Sequence, residues 1–196
     1  SNMSVGQTIN LTGGVMVTTA GNISGAQINV MGGNVSNRAN LSATGAMTVS
    51  ASNGQVSNNG TISGYDTRIN ANGSIRNEGL ISSNLSNGST AVIANLSNSQ
   101  SSVTNNGTIT GFDTVVKAGG NVNNDGNISG TDVHVVGANI TGDGTGTITS
   151  TSNITMNATA GNLTVTSVTA TNYVTLAASD TLNGVCGVAG PERCGV

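Results

Sequence analysis

Gln55 to Gly64 reads QVSNNGTISG, Ser102 to Gly111 reads SVTNNGTITG, and Asn121 to Gly130 reads NVNNDGNISG. The chain thus repeats one phrase, apolar-x-Asn-x-Gly-x-apolar-x-Gly, with Val56/Ile62, Val103/Ile109 and Val122/Ile128 at the apolar positions. A repeated phrase implies a repeated structural unit, and the size of the unit decides the fold.

Aligned on the phrase, the first apolar residue recurs at Val17, Val35, Val56, Ile75, Val103, Val122 and Ile140, with a looser return at Leu163. The steps are 18, 21, 19, 28, 19, 18 and 23 residues, a period of about 19 to 20 with one long unit. A second apolar column follows at Ile23, Leu41, Ile62, Ile81, Ile109 and Ile128, with Ile148 two places late. A third runs through Val30, Val49, Ile69, Val92, Val116 and Val135 and is expected to continue less regularly at Ile154. Alternation around each column has period two, as in TRINA from Thr67 to Ala71. That is strand patterning.

Between the first two columns runs a glycine column, Gly21, Gly60, Gly79, Gly107, Gly126 and Gly144, with Ala39 the exception. A bend with positive φ is the expected reason. Two places earlier stand Asn37, Asn58, Asn77, Asn105 and Asn124, giving way to Thr19 and Gly142 at the ends. Asparagine suits a turn and, in stacked units, can bond its amide to the next copy as a ladder.

A 20-residue unit of three short strands cannot bury its own apolar side, but stacked copies can. The expected fold is all-β: a right-handed parallel β-helix with three strands per coil and about eight coils. The long unit places its extra residues in two loops, 84–89 and 96–101. After Asn139 the phrase decays into Thr-rich text, still strand-like, and coils are expected from 15 to about 179. Ser1 and Asn2 ahead of Met3 look like a tag remnant, so 1–14 reads as that remnant with a leading segment, in a piece of a longer protein.

Composition sets the limits on function. Charged residues make up 7% and aromatics 2%, with 29 Gly, one Pro and a net charge of -3. Globular domains usually carry about a quarter charged residues. Wealth in Val, Ile and Thr argues against disorder. Five Lys and Arg cannot form a basic stripe, so nucleic acid is not an expected partner. No apolar run is long enough for a transmembrane helix, and no signal peptide is visible. Cys186 and Cys194, close together in CGVAGPERC near the C-terminus of the 180–196 segment, read as a short disulfide loop in an oxidising compartment, with two free thiols as the alternative. They lack the partners a zinc site needs.

Period, N-x-G corners and poverty in charge and aromatics together resemble the haemagglutinin-repeat shafts of the filamentous haemagglutinin family. These are bacterial exoproteins of two-partner secretion, among them adhesins and contact-dependent growth-inhibition effectors. The resemblance covers about Val15 to Ala178. It implies a secreted or cell-surface protein, passage through an outer-membrane two-partner secretion transporter, a monomeric rod, and no catalytic residue or cofactor. The family's NPNL and NPNG secretion-domain motifs are absent from the sequence, which therefore reads as an internal shaft segment.

Three functions remain in view. The first is a non-enzymatic structural shaft. The second is a segment contacting a host or bacterial receptor or glycan through the two loops, with Tyr65 and Phe112 nearby. The third is a polysaccharide lyase or hydrolase, since β-helices carry such enzymes and two carboxylates at set separation can cleave a glycosidic bond. Asp113 and Asp132 hold the same place in successive units, Asp66 holds it two units earlier, and His134 lies on the same side of its strand as Asp132. The bland reading is an Asp that caps backbone amides in a turn, beside a lone surface His. A looser charged column, Arg38, Glu78, Asp125 and Asp143 with Asn59 and Asn106 among them, reads as a solvated corner. No calcium-binding nonapeptide is present, and LTVTSVTAT keeps no strict Thr column that would order ice.

Overall fold

The computed structural model describes residues 2–84, 86–188 and 194–195, with side chains described through Asn183. Among them there is no helix. Every strand pairing is parallel, and the strands stack on three faces as a β-helix.

The first face is one unbroken register. Val17 pairs with Val35, then Val56, Ile75, Val103, Val122, Ile140, Leu163 and Leu182, each in the next coil. The second runs Ile23, Leu41, Ile62, Ile81, Ile109, Ile128, Ile148 and Val168. The third runs Val30, Val49, Ile69, Val92, Val116 and Val135. In the coil of Val56, Ile62 and Ile69 all three side chains are fully buried, as are their successors at Val103, Ile109 and Val116. Burying one such side chain is worth about 1.5 to 3 kcal/mol, and stacking is the only way this chain reaches that burial.

Three details differ from the sequence expectation. The third column continues at Met156 and Leu176, while Ile154 pairs with Val133 one inward position earlier. Opposite Gly130 to Asp132 the strand Thr147–Ala158 carries one added residue between Ser150 and Asn153, and the Met fills the place a periodic count gives to Ile154. The solenoid also begins at Met3, not near residue 15, and extends through the strand Leu182–Val188. Met3–Thr19 pairs with Ile23–Asn37 and carries two irregularities, which break the period that would have revealed it. Leu182 makes a ninth member of the first column.

The glycine column is present for another reason. Among the described residues only Gly144 has positive φ, at 105°. A methyl built on Gly60, Gly79, Gly107 or Gly126 would instead lie well inside contact distance of the previous coil's carbonyl oxygen, that of Ala39, Gly60, Gly79 or Gly107 respectively. Close approach of backbone to backbone at this corner excludes a side chain. In the following coil Gly146 takes the stacked place, and Gly144 sits outside it in a two-residue expansion.

The two loops leave the rod without disturbing it. Val92 still pairs with Ile69, and Val103 with Ile75. Asn84, Asn95 and Asn98 each accept the backbone N–H two residues on, so local side-chain turns shape both loops.

Candidate functional site

Two polar seams run inside the coil. Asn37 Nδ2 donates to Asn58 Oδ1 at 2.7 Å, Asn58 to Asn77 at 2.8 Å, Asn77 to Asn105 at 2.8 Å, and Asn105 to Asn124 at 2.7 Å. All five asparagines are buried, and the Thr19 hydroxyl donates to Asn37 at the first end. At another corner, buried Thr67, Thr90 and Thr114 each donate a hydroxyl to a carbonyl of the next coil, at Ser82, Thr110 and Ser129. This threonine seam was not foreseen. Its signal was present: a Thr two places before Ile69, Val92 and Val116, at an inward position where Met47 and Val133 stand in other coils. Both seams are filled with protein partners and serve the fold.

The outer side of the third face is different. Asp113 pairs in register with Asp132, Asp132 with Asn153, and Asn153 with Tyr173, while Ser89 precedes Asp113. The next outward column is Ala91, Val115, His134, Thr155 and Thr175. The two columns line an open groove of about 710 Å³. The structure therefore brings Asp113, Asp132 and His134 onto one surface, with the two Asp residues in register on neighbouring strands, whose backbones lie about 4.8 Å apart. That adjacency is what a hydrolase reading requires, and equally what a binding surface requires.

The members of the groove are held unequally. Asn153 Nδ2 donates to Asp132 Oδ1 at 2.8 Å and to Ser152 Oγ at 2.9 Å, leaving Asn153 Oδ1 buried with no protein partner. Asp113 is exposed. Partial burial, and then the charge of Lys117 two residues along the neighbouring strand, push the His134 imidazole below its ordinary range. Asp66 sits in the same column two coils before Asp113 and accepts the Ser89 N–H at 2.9 Å, the capping role expected of such a turn. Among the described residues no three His, Cys, Asp or Glu side chains converge to hold a metal ion.

The loop at 84–88 ends at the head of this groove. Gly88 lies in the corner column between Tyr65 and Phe112, since the Phe112 N–H donates to Gly88 O. Tyr65 is exposed and Phe112 half-buried. The second loop stands at the other end of the strand Ser89–Ala94, where Asn95 Nδ2 reaches Asn72 Oδ1. The corner charges align as expected of a solvated column. Arg76 pairs with Glu78, Asn106 donates to Glu78, and Asp125 accepts the Asp143 N–H. Hydrogen bonds from the Thr145 hydroxyl and N–H hold exposed Asp143 below the usual carboxylate range. The pairing expected between Cys186 and Cys194 falls on side chains outside the described residues.

Fold and surface together define a parallel β-solenoid with an apolar interior crossed by two polar seams, two looped corners and, on the third face, a groove lined by ionisable side chains. No family model, curated protein or solved structure matches the chain. No helix among the described residues is long and apolar enough to cross a membrane.

Proposed function

We propose that this segment is a non-enzymatic structural shaft of a large secreted bacterial surface exoprotein, of the filamentous haemagglutinin kind, which holds functional parts away from the cell. The supporting observation is the first-face column, which keeps register through nine coils while a 28-residue unit passes through it. A rod that absorbs insertions without losing register supplies length, and its stability is the sum of neighbouring coil contacts. Its low charge suits a chain that leaves the cell unfolded through an outer-membrane transporter and coils outside.

Removing one coil tests this. Val56 and Ile75 occupy the same place, so deleting residues 56–74 lets the coil of Ile75 stack directly on that of Val35. In the secreted parent exoprotein, the shaft reading expects display on intact cells and adhesive or toxic activity to survive the deletion. Normal display with loss of all activity would count against it.

A further inference from the structure

We propose that the groove on the third face is a binding site for a neutral oligosaccharide laid along the rod axis. This does not depend on the shaft reading, and it places ligand contact on the strands and not on the loops.

Distribution of charge is the first argument. Asp113, Asp132 and the only histidine, His134, line this groove, with Asp66, Arg68 and Lys117 on the outer side of the same face. Charges elsewhere, Arg76, Glu78, Asp125 and Asp143, pair or bond with one another and their neighbours at the corner between the first two faces. The groove lined by Thr110, Ser129, Thr149 and Thr151 on the second face has no ionisable side chain.

The order of groups is the second. Along the axis one column presents a hydroxyl at Ser89, carboxylates at Asp113 and Asp132, an amide at Asn153 and a phenol ring at Tyr173. Four coil spacings make this about 19 Å. Beside it, Ala91 and Val115 give an apolar strip that passes into His134 and Thr155. Sugars combine hydroxyls, which carboxylates and amides hold by charge-assisted hydrogen bonds, with C–H faces that pack on an aromatic ring. Tyr173 is 56% exposed and presents an aromatic surface at the end of the groove.

Charge selects among ligands. Adjacent Asp113 and Asp132 repel an anionic glycan, while Lys117 and Arg68 on the same face oppose a polycation. Metal ions lack a third ligand among the described residues. A neutral chain long enough to cross several coils fits what remains.

The test is amide chemical-shift titration of the whole 196-residue chain with four neutral probes, cellopentaose, chitopentaose, laminaripentaose and mannopentaose, and one anionic probe, pentagalacturonate. At least one neutral probe is expected to saturate below about 10 mM, with shifts at Asp113, Asp132, His134, Asn153 and Tyr173. Tyr173→Ala and Asp113→Ala should each weaken it about tenfold. Both side chains are exposed, so circular dichroism should match the parent chain. Failure of all four neutral probes to saturate would overturn the proposal. So would shifts confined to the 84–88 loop, equal affinity for pentagalacturonate, or unchanged affinity in both variants.

Discussion

Asn58 donates its side-chain amide to Asn77 Oδ1 at 2.8 Å and accepts from Asn37 at 2.7 Å, so one buried side chain ties three coils together. In water each such bond would be worth little. Inside the coil the alternative is an orphaned polar group, which makes the column specific to this register.

Asn77→Ala should therefore be costly. It strips a donor from Asn105 and an acceptor from Asn58, both buried, and leaves a void. The expected loss is about 3 kcal/mol or more. Asn29→Ala, which removes an exposed bond to Asn10, should lose less than about 1 kcal/mol. Urea unfolding of the two variants gives the comparison, and equal midpoints would contradict it.

Gly107→Ala should be worse than Gly144→Ala, although only Gly144 has positive φ. At Gly107 the new methyl meets the backbone of Glu78 and Gly79, which cannot turn aside. About 3 kcal/mol is the expected cost. At Gly144 the methyl meets only Thr166 at 3.9 Å, leaving a conformational cost of about 1 kcal/mol. Thermal unfolding ranks them.

Thr90→Val keeps shape and deletes the hydroxyl that reaches Thr110 O at 2.7 Å. The expected loss is about 1 kcal/mol, because the carbonyl loses one bond and no cavity forms. A gain in stability would show the threonine seam to be dispensable.

His134 should titrate below the ordinary imidazole value of about 6.5, first because of burial and second because of Lys117. A histidine whose folded pKa is depressed binds fewer protons folded than unfolded. Stability is thus undiminished above that value and falls as pH drops from it through the folded pKa. Imidazole titration by NMR reads the value, and Lys117→Met should move it upward. His134→Gln should flatten the same stretch of the stability profile.

Much of this was legible beforehand because the interior of a solenoid is periodic and its chemistry is simple. Val56, Ile62 and Ile69 announce their places by spacing alone, and so do the asparagines. What spacing hides is any residue after an irregularity. The residue added between Ser150 and Asn153, opposite Gly130 to Asp132, sets the third column on Met156, and carries Asn153 and Tyr173 into line with Asp132 where no fixed period points to them. Glycine is hidden for a related reason: its column records the distance to another coil, and a single unit's sequence describes only its own bend. Asp113 and Asp132 were recognisable as a column, but the aromatic end of their groove was not.

The asparagine ladder also has a direction. From Asn37 to Asn124 every amide donates toward the C-terminal neighbour and every carbonyl accepts from the N-terminal one. A coil placed on the C-terminal side of any of these layers must offer an acceptor at that corner, and one on the N-terminal side a donor, so the two ends of the ladder are not interchangeable.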